Sequence, residues 1–163
     1  MNNYMSYVAA FCDVSNLYYC VNKKYEGRKL DYKKYWTEVE KYGKIISAFA
    51  YGTEFNEDSI KFFDCLSFLG FKIRSKQAEQ VIIDGKPTLK RAKWDIAISM
   101  DIVRVVNKVH TVVIGSANPD LVHLVDWIKE KGAECIVLAC GISKELKNSC
   151  DKYIEIKEAL LED

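Results

Sequence analysis

The sequence predicts one α/β domain, residues 1–163, with a mostly parallel sheet and helices on both faces. Short apolar or β-branched runs of strand length alternate with segments of helical period, and this alternation is typical of parallel sheets. Nearly continuous apolar runs are typical of strands that are covered on both faces. A length of 163 residues suits a single domain. The predicted strands are residues 7–12, 45–51, 71–75, 111–114 and 135–138.

The segments between these strands carry apolar residues at helical spacing. Gly70 and Gly132 follow two of them, where the glycine caps of helix C-termini are expected. Residues 77–93 differ, because two short runs flank Asp84-Gly85, a pair that favours a tight hairpin turn. The helical sets are Ile60, Phe63, Leu66, Phe68 and Leu69; Ile96, Met100, Val103 and Val106; and Leu121, Leu124, Val125 and Ile128.

Composition excludes several classes of protein. With 49% hydrophobic and 29% charged residues the chain is of ordinary globular composition, and its net charge of +1 neither requires nor excludes a nucleic acid partner. Six cysteines without a Cys-x-x-Cys pair favour reduced thiols over a zinc site or disulfides. No segment approaches the ~20 apolar residues of a membrane span, and no signal peptide is recognisable at the start. We expect a cytoplasmic protein without a membrane partner.

Acidic residues stand where the predicted strands end. Asp13 follows the first strand, Asp120 follows the fourth, and Asp95 stands at the start of a predicted helix. In open parallel sheets ligands bind outside the carboxyl ends of the strands, so we expect the three carboxylates to converge there around a cation. The alternative is that each residue only caps, or charges, the start of a helix. Asp101 lies roughly 120° around the helix from Asp95 and alternatively pairs with Arg104.

Basic residues flank two of these acidic positions. Some are interleaved with Tyr18, Tyr19 and Tyr25, and such mixtures suit phosphate contacts combined with base stacking on single-stranded RNA. The alternative is an ordinary solvated surface. The hairpin predicted over residues 77–93 either guides a strand of RNA or serves a homodimer. The predicted RNA-binding residues are Lys23, Lys24, Arg28, Lys90, Arg91 and Lys93.

Three blocks, residues 13–16, 93–101 and 116–121, resemble in order and spacing the signature blocks of the NYN domain, LabA-like branch, in the PIN-like nuclease superfamily. The resemblance implies a Mg²⁺- or Mn²⁺-dependent ribonuclease that hydrolyses phosphodiester bonds. By matching position, the metal ligands would be Asp13, Asp95 and Asp120, the ligand-orienting residues Asn16 and Ser116, and the further catalytic residues Asp101 and Asn118.

Asn118 is a departure from the family pattern, in which the position is acidic. An amide contributes no negative charge and cannot act as a general base, so weakened activity is expected. The alternative function is a non-catalytic RNA-binding or regulatory module that retains the fold. Other nucleotide enzymes fit less well: the first strand is not followed by Gly-x-Gly-x-x-Gly, and Ser15 stands where a dehalogenase-like phosphatase would have a second Asp.

Overall fold

The computed structural model describes residues 5–163, and within them eight strands and six α-helices follow one another. The strands are β1 (Tyr7–Asp13), β2 (Lys44–Glu54), β3 (Lys72–Gln77), β4 (Glu79–Ile83), β5 (Lys86–Lys90), β6 (Thr111–Gly115), β7 (Glu134–Ala139) and β8 (Lys152–Glu155). The α-helices are α1 (Val14–Lys24), α2 (Tyr32–Glu40), α3 (Glu57–Leu69), α4 (Asp95–Val105), α5 (Val122–Glu130) and α6 (Lys144–Ser149). Short 3-10 helices span Val106–Lys108, Pro119–Leu121 and Glu158–Leu160.

Six strands form one parallel sheet in the order β3-β2-β1-β6-β7-β8, which confirms the predicted fold class. The chain builds the sheet outward from β1 to β3, and then from β6 to β8 on the other side. The strand order therefore reverses between β1 and β6. In sheets of this kind a crevice forms at the reversal point, outside the carboxyl ends of the strands.

Consecutive residues of β2 show that helices cover both faces of the sheet. The ring of Trp94, the residue before α4, lies 5.8 Å from that of Tyr51. Gly52 faces the opposite way, because side chains alternate along a strand, and it lies under Phe63 of α3. A Cβ at Gly52 would come within 2.4 Å of Phe63 Cζ, so the glycine is required for this close approach.

The five predicted strands are all present, and the apolar runs of β1, β2, β6 and β7 contribute most of the buried strand residues, whereas edge strand β3 is largely exposed. Residues 8–12 of β1, for example, are at most 1% exposed. The sixth strand of the sheet, β8, has no such run: its sequence is Lys-Tyr-Ile-Glu, and as an edge strand it is only partly buried. A partly covered edge strand carries little apolar signal, which is why the sequence did not predict it.

The predicted helix ends and hairpin are confirmed. Gly70 caps α3 at φ 116°, and Gly132 follows α5 at φ 86°. Strands β4 and β5 pair antiparallel around Asp84 and Gly85, whose φ angles of 51° and 73° suit a two-residue hairpin turn.

The hairpin and one side of α4 leave apolar residues in solvent. Periodic apolar residues predicted α4 correctly, yet the face that α4 buries is formed by other positions, Ile98, Asp101 and Ile102. No helix in residues 5–163 has the length and apolar character needed to cross a bilayer. The large exposed apolar residues of these two elements are Ile82, Ile83, Leu89, Ile96, Met100 and Val103.

Candidate metal and nucleic-acid site

Asp13 and Asp95 lie close together at the reversal point of the sheet. Asp13 ends β1 and accepts a hydrogen bond of 3.1 Å from the Asn16 N–H, so it also caps α1. Asp95 is the first residue of α4. Burial raises the pKa of Asp13 to about 6, against the hydrogen bond from Asn16 and with a further contribution from the charge of Asp95. The site thus holds two acidic groups that repel one another in a partly desolvated crevice.

Asn118 connects the turn after β6 to this pair. Its side-chain Nδ2 donates to Asp95 Oδ1 at 3.0 Å, and its Oδ1 accepts from the Asp120 backbone N–H at 3.0 Å. Its own backbone N–H donates to Ser116 Oγ at 3.2 Å. The Asn118 amide is therefore in direct contact with Asp95, and it donates a hydrogen bond to that carboxylate.

The two predicted orienting residues, Asn16 and Ser116, position the same turn. Asn16 Oδ1 accepts from the Ala117 N–H at 2.8 Å, which ties the start of α1 to the turn after β6. Ser116 is fully buried and holds Asn118. Their contacts are with protein backbone, and they align the two strand ends that carry the acidic residues.

Asp120 is not brought to the pair as a third ligand. It is exposed in the 3-10 helix Pro119–Leu121, and within residues 5–163 no group of three or more His, Cys, Asp or Glu side chains is arranged to hold a metal ion. The expected convergence of three carboxylates is therefore present only as a pair. Within this turn it is Asn118 that contacts Asp95, while Asp120 is exposed in the short helix that follows.

Asp101 is engaged by cationic and hydroxyl groups of the chain itself. Its carboxylate is 2% exposed and accepts from Arg74 at 2.8 and 2.9 Å, from Arg104 at 3.0 Å and from the Tyr51 hydroxyl at 2.9 Å. Burial alone would raise the pKa of Asp101, but the hydrogen bonds from Arg74 and Tyr51 outweigh it and hold the pKa below its ordinary value. The alternative pairing with Arg104 is what the structure shows. Arg74 and Tyr51 were not predicted as partners, since both are remote in sequence.

The donor set fits one hydrated divalent cation. Mg²⁺ usually keeps several waters and takes one or two protein carboxylates, and Asp13 and Asp95 supply two in a setting where each charge disfavours the other. Among residues 5–163 a second ion finds no equivalent pair in the crevice, and Asn118 is an amide that donates a hydrogen bond to Asp95.

A cationic cleft lies beside α4. The cleft, a hollow of about 260 Å³ between the end of β3 and the hairpin, is lined by Lys76, Lys90, Arg91 and Lys93, with Glu79 as its one acidic residue. Three of these four cations are predicted RNA-binding residues. Lys76 was missed, although its place just beyond the predicted third strand is where ligand contacts are expected in a parallel sheet.

A backbone contact ties the cationic cleft to the sheet. The Ala92 N–H donates to Thr53 Oγ1 at 3.1 Å, which holds the segment between the hairpin and α4 against the end of β2. Thr53 is 4% exposed and was not predicted as a site residue. Lys93 is two residues from Asp95, so the lining of the cleft is followed directly in the chain by one member of the acidic pair.

The other basic cluster is largely engaged within the chain. Lys24 forms an ion pair with Glu155, and Arg28 pairs with Glu158 at 3.6 Å and donates to the Glu162 carbonyl at 2.9 Å. These contacts fasten the C-terminal segment onto the end of α1. Of the three predicted residues in this cluster, only Lys23 is exposed without an ion pair in residues 5–163.

An aromatic cavity of about 550 Å³ opens on the same edge of the sheet. Val14 and Ser15, the residues directly after Asp13, line one side of it. Phe55 and Phe62 line the other, and neither was predicted as functional, because a phenylalanine near a helix start carries no signal that separates it from a core residue.

Comparison with known proteins places the chain in a family. A search of curated proteins gives no match. A crystal structure of a protein of unknown function from Vibrio parahaemolyticus RIMD 2210633 is 23% identical, with a TM-score of 0.87 over 99% of each chain, and it shares the fold. The model of the NYN domain matches residues 7–157, which include β1, both strand-end turns and β8. The chain therefore belongs to the NYN domain family.

Proposed function

We propose that this NYN domain, as a member of the LabA-like branch, is a metal-dependent nuclease that hydrolyses phosphodiester bonds in RNA. The observation that carries the proposal is the meeting of Asp13 and Asp95 at the reversal point of the sheet, beside a cleft with four cations. Membership of the family supports a nuclease-type site, and the acidic pair gives that site a ligand set in this chain.

Asp13 and Asp95 would hold Mg²⁺ or Mn²⁺, and Asp120 would complete the set by turning inward. Asp120 can turn because its carboxylate has no hydrogen bond or ion pair within residues 5–163. A bound divalent cation supplies charge neutralisation at the phosphate and lowers the pKa of a coordinated water. Asp101 takes no part in this proposal, because its oxygens are occupied by two arginines and a tyrosine.

The cationic cleft would hold the RNA backbone. Lys90 and Lys93 are exposed and have no ion pair within residues 5–163, so they can exchange counterions for phosphates. A backbone that follows the cleft toward α4 brings a phosphate to Asp95. Lys23, exposed on α1, would extend this surface on the other side of the acidic pair.

Asn118 would lower the rate of cleavage without abolishing it. It fixes one oxygen of Asp95 through a 3.0 Å hydrogen bond, which orients that carboxylate for a cation. It cannot supply the negative charge that the family has at this position, so the affinity for metal is lower than an acidic residue would give. We therefore expect slow cleavage.

Cleavage of labelled single-stranded RNA with Mn²⁺ and with chelator tests the proposal. Asp13→Asn and Asp95→Asn should each abolish Mn²⁺-dependent cleavage, since one carboxylate would remain. Asp64→Asn is the matched control: Asp64 is exposed on α3, away from the site, and its removal should change nothing. Cleavage that survives both site substitutions, or persists in chelator, would point to a contaminating nuclease and refute the assignment.

The second candidate function is a non-catalytic RNA-binding module. The hydrogen bond from Asn118 to Asp95 favours it, because the amide stabilises the Asp95 carboxylate without any cation. This candidate predicts salt-sensitive RNA binding that is equal in Mn²⁺ and in chelator, with no product formed. Under the nuclease proposal, chelator should abolish turnover and leave most of the RNA affinity in place.

The exposed apolar residues of the hairpin and of α4 favour a homodimer. A two-stranded hairpin is marginally stable by itself in water, and Ile82 and Ile83 are 76% and 53% exposed in β4, while Ile96 is 82% exposed on α4. We propose that each hairpin covers apolar residues of a second copy. Light scattering should show a dimer that Ile82→Lys dissociates, and a parent protein that is monomeric at high concentration would exclude it.

The four buried thiols among the six free cysteines suit the reducing cytoplasm in which we place the protein.

A further inference from the structure

The aromatic cavity lies where the next part of a bound RNA would pass. It is lined by Val14 and Ser15, directly after Asp13, and by residues that follow β2. A volume of about 550 Å³ falls within the range of small-molecule sites, ~300–1,000 Å³. The cavity is therefore large enough for a base and its ribose, next to the acidic pair.

Flat aromatic rings form its walls. Tyr18 and Phe55 are 47% and 40% exposed and border the opening. Deeper in, the ring centroid of Phe62 lies 5.6 Å from that of Tyr32 in an edge-on arrangement, which fixes the orientation of both rings. Rings held in this way by packing present stacking surfaces at little further cost in conformational entropy.

The lining of the cavity carries two cations and two carboxylates, and one of the cations also belongs to the cationic cleft. The guanidinium of Arg91 lies 5.8 Å from the centre of the Phe55 ring, and Arg91 also lines the cationic cleft. Lys29 adds a second cation, while Asp58 and Glu162 are the acidic residues of the lining. Because Arg91 lines both hollows, the cavity and the cleft adjoin each other and share one cation.

We infer that the cavity is a subsite for one unpaired nucleobase of a single-stranded RNA whose backbone lies in the cationic cleft. The inference rests on the proposed function for its RNA substrate and names the feature of RNA that is recognised. Bases stack on aromatic side chains when they are free of a duplex. A paired base lies between its neighbours and cannot enter a cavity without being extruded, so the site selects unpaired nucleotides.

Binding of nucleoside 5′-monophosphates in chelator tests the subsite without any cleavage. Saturation-transfer NMR with the four ribonucleotides should show contact between base and protein, whereas ribose 5-phosphate, which lacks the base, should bind far more weakly. Phe55→Ala should reduce affinity roughly ten-fold or more, and Phe55→Trp should restore it. Phe68→Ala is the matched control, since Phe68 is 98% exposed on α3, outside the cavity. Single-stranded oligoribonucleotide should displace the monophosphates, and the same sequence annealed into a duplex should not.

The inference would be overturned by no binding of any monophosphate at millimolar concentration, by equal binding of ribose 5-phosphate, or by failure of the oligoribonucleotide to compete. Saturation of the cavity by indole, with no displacement by nucleotides, would identify an apolar side chain of a partner as its occupant and would also overturn it. Failure of the subsite is distinguishable from failure of the nuclease proposal. Base binding without Mn²⁺-dependent cleavage would leave the subsite intact and refute the nuclease proposal. Mn²⁺-dependent cleavage by Phe55→Ala with wild-type turnover and KM would leave the nuclease proposal intact and refute the subsite.

Discussion

Two aspartates of helix α4, Asp95 and Asp101, have opposite environments. Asp101 is buried with two arginines and a tyrosine around it, and its pKa is lowered. Asp95 stands at the crevice with an amide as its hydrogen-bond donor, and its charge helps to raise the pKa of neighbouring Asp13 to about 6. A carboxylate whose charge is neutralised within the chain stabilises the fold. A pair whose charges are not neutralised keeps an affinity for something external, and perturbed acidic pairs in clefts are candidates for functional sites.

The largest change in the free energy of unfolding is expected when Asp101 is replaced. Asp101→Ala should lower the free energy of unfolding by about 3 kcal/mol, at the low end for a broken buried ion pair, because both arginines are partly exposed and can be rehydrated. Urea denaturation in chelator measures it, with Asp64→Ala as the control on an exposed helix position. A destabilisation comparable to that of the control would show that the Asp101 network contributes little.

At the acidic pair of Asp13 and Asp95, removing a charge is expected to raise the free energy of unfolding. Native Asp13 keeps its proton up to about pH 6, whereas the unfolded chain releases it near the ordinary value of 3.8. Between these pH values the native state binds more protons, so the metal-free protein loses stability as the pH rises from about 4 to 6. Asp13→Asn removes this loss and still caps α1. It should raise the free energy of unfolding by about 2 kcal/mol at neutral pH in chelator.

The same variant supplies its own control. At a pH of about 4 both proteins are uncharged at position 13, so the difference in unfolding free energy should largely disappear. If Asp13→Asn is no more stable than the parent at neutral pH in chelator, the native carboxylate is not repelled, and the contrast with Asp101 fails.

A smaller effect is expected from restoring the family's acidic residue. Asn118→Asp exchanges the 3.0 Å hydrogen bond to Asp95 for repulsion between two carboxylates. The metal-free variant should be less stable than the parent by about 1 kcal/mol, and Mn²⁺ should stabilise it more than the parent and increase cleavage. Thermal unfolding with Mn²⁺ and with chelator measures the two changes in stability. An Asn118→Asp protein that responds to Mn²⁺ no more than the parent would place residue 118 outside the metal site.

The last comparison is between two groups of basic residues, whose replacement should leave the free energy of unfolding almost unchanged. Lys90, Arg91 and Lys93 line an open cleft, whereas Lys24 and Arg28 are paired with glutamates. Replacing the first three by Gln should weaken single-stranded RNA binding and reduce the log-log salt slope by roughly 2, or ~0.7 for each phosphate that is no longer neutralised. Binding isotherms at several KCl concentrations measure the slope. Replacing Lys24 and Arg28 should change it much less, and equal slopes for both variants would remove the cleft from the RNA surface.

Local sequence was sufficient for the elements that are buried on both faces. The runs at residues 7–12 and 111–114 became central strands, and Asp84-Gly85 became a hairpin turn, because apolar continuity and backbone preference act over a few residues. Strand β8 was missed because its four residues, Lys-Tyr-Ile-Glu, contain no continuous apolar run. The helical period over α4 identified the helix but not its buried face, since burial depends on which elements pack against it.

In the candidate site, too, some features could be predicted from local sequence and others could not. The sequence by itself determined that Asp13 and the turn holding Asn118 stand at strand ends, since strand ends can be located from apolar runs. Only the tertiary structure decided that Asn118 donates to Asp95, that Asp120 faces solvent, and that Arg74 from β3 neutralises Asp101. Hydrogen bonds and ion pairs between distant segments depend on distances of a few ångströms, which the crossing of helices over a sheet sets and which no local pattern encodes.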